Sequence, residues 1–350
     1  MSKIFKITFF DIFRSQGSWI LKGLKFKDYF WGTLVAFILP KQKIEDSFPQ
    51  PIRKILIIRP GGIGDAVFLL LILKNLKAKG IFIDILCESR NAEVFSSQGY
   101  SVFFYNQLGS LGRVLKNSYD VVIDTEQWHY SSAIMSYFSK TNYRIGFATR
   151  PLRAKLFNKQ VAYGDNDYEL DNFLRLFEGL IPSENEIKDI NNSFDISQNL
   201  KAWASGEILK ESVTIFLGSS IALRRFSKDR ILDVIKGLLV KGLCPVLLGG
   251  KDVVGMANQI LEEDRSKKIL SFVGKVSLAE SAALIQRSQE FIGPDSGLMH
   301  LACAVGTPVV AVFGPGNLKK WQPKGERHKV IIENGSRLYV TRFGYTIPAA

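Results

Sequence analysis

The chain has 350 residues, 46% hydrophobic and 23% charged, an ordinary globular composition with room for two domains and a core in each. Its formal charge of +13 suits an anionic partner, but the Lys and Arg residues are spread out, with no dense block and no RNA-binding aromatic signature, which argues against nucleic acid. Cys87, Cys244 and Cys303 are isolated in apolar patterns, and His129, His300 and His328 are the only histidines, so no Cys/His metal site is expected.

Residues 1–50 differ from the rest. Lys3, Lys6, Arg14, Lys22, Lys25, Lys27, Lys41 and Lys43 outnumber Asp11, Asp28, Glu45 and Asp46, with Phe9, Phe10, Ile12, Phe13, Trp19, Ile20 and Leu21 between them. The uncharged run Tyr29–Leu39 stops at Pro40, short of the about 20 residues a bilayer span needs. No early apolar region is followed by a small-residue cleavage site, so a signal peptide fits poorly. This basic, aromatic extension suits contact with an anionic membrane surface through residues 1–45; the other reading is that it packs onto the first domain as extra helices.

From Arg53 onward strands and helices alternate. Strands are expected at Lys54–Ile58, Phe82–Leu86, Val102–Tyr105, Asp120–Asp124 and Arg144–Phe147. Helices are expected at Asp65–Lys79, which ends before Gly80, at Leu108–Asn117 and at Ser131–Ser139. Leu152–Tyr163 reads as a basic loop, Tyr168–Leu180 as a helix, and the Asn- and Asp-rich Ser183–Asn199 as the region between domains. A second series follows: strands Val213–Leu217, Cys244–Leu248, Ile269–Val273, Glu290–Ile292 and Val309–Phe313, with helices Lys228–Lys241, Val254–Asp264, Leu278–Arg287 and one from Ser296 to Ala304. This order predicts two α/β units, each with a parallel, doubly wound sheet, facing one another across a cleft. The expected division is an extension at 1–50, an acceptor-side domain at 51–185, a linker at 186–210, a donor-side domain at 211–330 and a tail at 331–350.

Four segments carry chemistry. Arg59-Pro-Gly-Gly-Ile-Gly-Asp65 joins the first strand to the first helix; Gly61, Gly62 and Gly64 let the backbone turn sharply or approach a ligand. The third glycine of a dinucleotide fingerprint is absent, and so is the Gly-Lys-Ser/Thr of a P-loop. A carboxylate here suits a base that takes a proton from a hydroxyl nucleophile, although Asp65 could equally cap the helix. In Gly218-Ser-Ser-Ile-Ala-Leu-Arg-Arg-Phe-Ser227, Ser219 and Ser220 stand at a strand end, and Arg224 and Arg225 offer cations for a diphosphate or belong to a solvated basic loop. Gly249, Gly250, Lys251 and Asp252 form a third turn, either nucleotide contacts or plain surface. In Gly293-Pro-Asp-Ser-Gly-Leu-Met-His300, Asp295, Ser296 and Gly297 open a helix whose N-terminus suits a phosphate, or simply cap it.

These residues resemble a family. Ile55–Asp65 resembles the N-terminal signature of the family-9 glycosyltransferases, the lipopolysaccharide heptosyltransferases. Gly293–Ala302, with Gly306-Thr-Pro308, Phe313-Gly-Pro315 and Trp321-Gln-Pro323, resembles their C-terminal donor-site signature. The resemblance runs from about Lys54 to Gly325. It implies a GT-B fold, two Rossmann-like domains with the active site between them, and an inverting, metal-independent transfer from a nucleotide-diphosphate sugar such as ADP-heptose. It makes Asp65 the general base and places Ser296 and Gly297 at the donor phosphates, with His300 nearby, Asp295 oriented toward the donor, and Arg224 where the family commonly has a phosphate-binding lysine. It implies a lipid-linked or phosphorylated glycan acceptor and work at the inner face of the cytoplasmic membrane. No cofactor is expected beyond the substrate nucleotide.

The chain also departs from the family. Arg224-Arg-Phe-Ser227 stands in place of a Lys-x-Trp-Pro-like element, and Asp252 stands about where a glutamate usually contacts the nucleoside. Arg59, Arg150 and Arg153 are candidate acceptor contacts, together with Lys155, Lys159 and the stretch Gln127–Tyr130. Two other functions compete: a catalytically inactive nucleotide-sugar-binding assembly protein on the same fold, and a nucleotide-sugar epimerase or dehydrogenase. The latter calls for a complete G-x-G-x-x-G and a Tyr-x-x-x-Lys pair, and neither is present.

Overall fold

The computed structural model describes residues 19–45, 47–181, 190–219, 221–314, 316–332, 339–340 and 346–347. Two six-stranded sheets organise them. The first contains β1 (Lys54–Arg59), β2 (Phe82–Cys87), β3 (Ser101–Phe104), β4 (Val121–Asp124), β5 (Arg144–Phe147) and β6 (Lys159–Val161), in the order β3-β2-β1-β4-β5-β6. The second contains β7 (Ser212–Phe216), β8 (Cys244–Leu248), β9 (Leu270–Ser271), β10 (Glu290–Pro294), β11 (Val309–Phe313) and β12 (Lys329–Ile332), in the order β12-β11-β10-β7-β8-β9. Counted within its own half, each sheet has the same order, 3-2-1-4-5-6, and every adjacent pair within both is parallel. Parallel strands buried on both faces read as continuous apolar runs, as Ile55-Leu-Ile-Ile58 and Val309-Val-Ala-Val-Phe313 do here.

In this topology the strand order reverses between the first and fourth strands of a sheet, opening a crevice at their carboxyl ends. The crevices fall between β1 and β4 and between β7 and β10, where the turns singled out in the sequence lie. A single apolar core joins the halves: Phe68, Leu69 and Ile72 from the helix Ile63–Ala78 share a cluster with Met299, Leu301 and Ala302 from the helix Gly297–Ala304. The two helices pack directly on one another, so the cleft has a rigid floor.

The structure changes the expected elements in several places. The basic loop at Leu152–Tyr163 contains a short helix, Pro151–Ala154, and the edge strand β6. The expected strand Ile269–Val273 is a two-residue edge strand, and the helix Tyr168–Leu180 is shortened to Glu169–Leu176. Lys329–Ile332, unassigned from sequence, closes the second sheet. Residues 183–189 of the expected interdomain region lie outside the described residues, as do residues 1–18, and the described remainder runs into the helix Gln198–Glu207.

Within the extension, Trp19–Ile38 is a helix of 20 residues. No described helix is long and apolar enough to cross a membrane. It packs onto the helix Tyr130–Phe138, where a Cβ on Gly32 would lie 2.3 Å from Tyr130 Cβ, so only glycine allows the approach. The Asp28 carboxylate accepts from Tyr130 N (3.0 Å) and Ser131 N (2.9 Å) and sits 3.3 Å from His129 Nδ1. The helix Tyr130–Phe138 therefore has its first turn capped by a residue a hundred positions earlier.

Candidate active site

The Arg59–Asp65 turn is built around a buried arginine. Arg59 Nε donates to Pro60 O (2.6 Å), Nη1 to Thr125 O (2.8 Å) and Nη2 to Glu126 (3.3 Å), and Nη2 lies 4.0 Å from Asp65 Oδ2. Burial works against this charge, but the carboxylates of Asp65, Glu126, Glu169 and Asp124 outweigh it and raise the arginine's pKa. Gly61 has φ +114°, and a Cβ there would lie 2.8 Å from Arg59 Nη2, so glycine is required both by the turn and by the guanidinium folded beneath it. The helix begins at Ile63 with Gly62 as its N-cap, which puts Asp65 in the first turn rather than at the cap. Its partly exposed carboxylate faces the cavity.

Across the cleft, Ser296 is the N-cap of the helix Gly297–Ala304, with Oγ accepting from Met299 N at 3.4 Å. Capping and ligand binding are compatible here, because the cap uses only the Met299 N–H, and Ser296, Gly297 and Leu298 line the cavity. A Cβ on Gly297 would lie 2.7 Å from Ile63 Cβ and 3.1 Å from Gly64 N; one on Gly64 would lie 2.9 Å from His300 Cδ2. The two glycines thus bring the two helix N-termini, with their positive dipole ends, into contact.

The cavity above them, about 640 Å³, is lined by Asp65, Ser219, Arg224, Asp295, Ser296 and His300 among others. Arg224 Nη1 pairs with Asp295 Oδ2 at 2.7 Å; burial raises the pKa of Asp295, and Arg224 opposes the shift. Arg225 pairs with Asp252 at 2.6 Å and donates to Ser219 O at 3.0 Å, tying the turns after β7 and β8 together. His300 is buried among Phe68, Trp321 and Gly64, and burial pushes its pKa down to about 3, so the ring is neutral.

The structure therefore brings together Gly62, Gly64, Asp65, Ser219, Arg224, Gly250, Asp252, Asp295, Ser296, Gly297 and His300. It leaves other candidates elsewhere. Arg59 supports the turn from beneath, only 2% exposed. Arg153 is completely buried; it pairs with Asp124 at 2.6 Å and donates to Phe147 O, so it braces the strand ends and does not reach an acceptor. Arg150 stacks among Tyr29, Trp128 and Tyr130. Lys251 is exposed outside the cavity lining. Ser220 lies outside the described residues.

Sequence reasoning missed the cavity wall formed by Phe216, Arg90 and Val276–Ser281. The wall also carries an interdomain contact: Glu93, from the first half, accepts from Leu278 N (3.1 Å) and Ala279 N (2.9 Å) at the start of the helix Leu278–Arg287. A second contact is Lys320 of the helix Leu318–Trp321, which pairs with buried Glu169 at 3.2 Å beside Tyr163. The pattern Ser277-x-x-Glu280 was a readable capping box, but its partner Glu93, nearly two hundred positions away, was not readable.

Two doubly wound sheets with a cleft between their carboxyl ends define the GT-B class of glycosyltransferase. The profile of "Glycosyltransferase family 9 (heptosyltransferase)" matches residues 108–339. Lipooligosaccharide heptosyltransferase 2 of Haemophilus influenzae is 25% identical over 308 residues, 79% of this chain and 88% of that protein. Lipopolysaccharide heptosyltransferase 3 of Escherichia coli is 37% identical over 92 residues, 26% and 27% of the two chains. Among solved structures, E. coli ADP-heptose LPS heptosyltransferase II superposes with a TM-score of 0.68 at 19% identity, covering 84% of this chain and 92% of that one. E. coli heptosyltransferase WaaC with ADP gives 0.67 at 17% identity, covering 81% and 94%. The chain belongs to glycosyltransferase family 9, the heptosyltransferase family, and is a glycosyltransferase.

Proposed function

We propose that this enzyme transfers heptose or a related sugar from a nucleotide-diphosphate donor, ADP-heptose in the first instance, to a lipopolysaccharide-core or other lipid-linked, phosphorylated glycan, with inversion and without a metal, at the inner face of the cytoplasmic membrane. One observation carries the reading: the Gly64–Gly297 contact puts the Asp65 carboxylate and the Ser296 helix N-terminus on one cavity.

Asp65 takes the proton from the acceptor hydroxyl as its oxygen bonds to the anomeric carbon. The bond from that carbon to the nucleotide diphosphate breaks on the opposite face, which inverts the centre. Charge gathers on the departing diphosphate, where Arg224 and the N–H groups at Ser296 and Gly297 receive it. These groups supply the positive field that a divalent ion provides in other transferases. Asp295 holds Arg224 ready in the meantime. Ser219 joins Arg224 at the donor phosphates, and Gly250 and Asp252 serve the nucleoside side, with Arg225 fixing the position of Asp252. The relatives' names supply the heptose, the lipopolysaccharide and the ADP.

The test is transfer from ADP-heptose to a heptose-deficient core acceptor in EDTA, with product stereochemistry read by NMR. Asp65→Asn is expected to lower kcat by about 10²–10⁴-fold while still binding ADP. Wild-type turnover by Asp65→Asn overturns the base assignment, and retention of the donor's anomeric configuration overturns the inversion.

A further inference from the structure

The helix Trp19–Ile38 has two unlike faces. Asp28, Tyr29, Gly32 and Ala36 face the protein, through the Asp28 cap, the Gly32–Tyr130 contact and the cluster of Ala36 with Tyr130, Ala133, Leu156 and Phe157. Phe26, Phe30, Leu34 and Phe37 follow one another at helical spacing on the other side, flanked by Trp31 and Ile38. Phe30 is 54% exposed, Trp31 59%, Phe37 69% and Ile38 71%. Rings stack along this arc, Phe26 on Phe30 and Phe30 edge-on to Trp31. The exposed faces of Phe30, Trp31, Leu34, Phe37 and Ile38 form an apolar arc that calls for a partner.

Charge complementarity identifies the partner. Lys25, Lys27, Lys41 and Lys43 border the arc and are exposed, on a chain of formal charge +13. Aromatic and aliphatic residues along one face with lysines at its edges are the pattern of a helix lying in the interface of an anionic leaflet.

We infer that this face docks on an anionic lipid monolayer and holds the first half of the molecule in a fixed attitude to it. Asp28 and Tyr29 meet His129, Tyr130, Ser131 and Arg150, which follow the carboxyl ends of β4 and β5. The anchor therefore sits at the end of the sheet where Asp65 opens onto the cleft. Of the two expectations for this segment, packing onto the first domain is what the described helix does with one face; membrane contact is the proposal made here for the other. The orientation rests on the lipid-linked acceptor proposed above; the docking does not.

The experiment is co-flotation of the full-length protein with vesicles of phosphatidylglycerol and phosphatidylethanolamine, with phosphatidylcholine as the neutral control, in the absence of donor and acceptor. Wild type is expected to float with the anionic vesicles and to release as salt rises. Phe30→Ser/Phe37→Ser is expected to lose at least tenfold in partitioning while keeping wild-type transfer to a detergent-solubilised acceptor. Equal flotation of the two proteins, or equal binding to neutral vesicles, overturns the proposal. So does a wild type that stays off the vesicles and sediments as a dimer that the double substitution dissolves, because the face then pairs two copies. Failure of transfer in both proteins would count against the proposed reaction and leave the flotation result standing.

Discussion

His300 shows how burial sets the chemistry of a single residue. Its ring is enclosed by Phe68 and Trp321, and its Nδ1 has no hydrogen-bond partner. The folded protein holds it neutral, with a pKa lowered from 6.5 to about 3. In the unfolded chain it binds a proton near pH 6.5, so the folded state keeps its full advantage above that pH and loses it as pH falls toward 3. The loss approaches about 1.4 kcal/mol per pH unit over that interval. Thermal denaturation between pH 7 and 5 should therefore show wild type losing more Tm than His300→Asn; parallel curves would contradict the enclosure. From sequence, His300 was placed near the donor, but its neutrality depends on Trp321 and Phe68 arriving from two different halves of the chain.

At the scale of elements, the joint between Ile63–Ala78 and Gly297–Ala304 is the most sensitive feature. The Cβ of Gly297→Ala meets Ile63 Cβ and the Gly64 backbone, and backbone cannot step aside cheaply. The substitution is expected to lower stability by about 1–3 kcal/mol and to reduce kcat with the circular dichroism spectrum preserved. An unchanged kcat would show that the joint tolerates widening. Central strands were legible because both their faces are buried: Cys244–Leu248 and Val309–Phe313 were delimited to the residue. The edge strands Lys159–Val161 and Lys329–Ile332 were not, because a strand with one neighbour carries a shorter apolar run and mixes in lysine. The same limit applied to the site. Asp65, Ser296 and Gly297 announced themselves through local turn chemistry. Arg59 and Arg153 looked like ligands until burial showed them to be braces, and nothing in a basic side chain's identity distinguishes the two roles.

In the whole molecule, the halves are joined by a shared core and by polar contacts of distant sequence origin. Glu93 caps the helix that begins at Leu278, and Lys320 pairs with Glu169 at 3.2 Å. Removing a cap of this kind costs about 0.5–2 kcal/mol. Glu93→Ala should therefore quicken amide exchange at Leu278 and Ala279 and raise the donor KM more than it lowers kcat. Exchange equal to wild type would mean the two halves are held without it.

Among the described residues, the helix Trp19–Ile38 and the segment after it are fastened to the first half: Asp28 caps Tyr130–Phe138, Lys155 O accepts from Gln42 N, and Asn158 O accepts from Glu45 N. A load applied to that helix enters the molecule through the first sheet and reaches the second only across the shared core and the Gly64–Gly297 joint. The first half is then the part held still, and the second is set against it by the packed helices Ile63–Ala78 and Gly297–Ala304. On the reaction proposed above, the nucleotide sugar is then the substrate that travels, and the acceptor stays where the surface holds it.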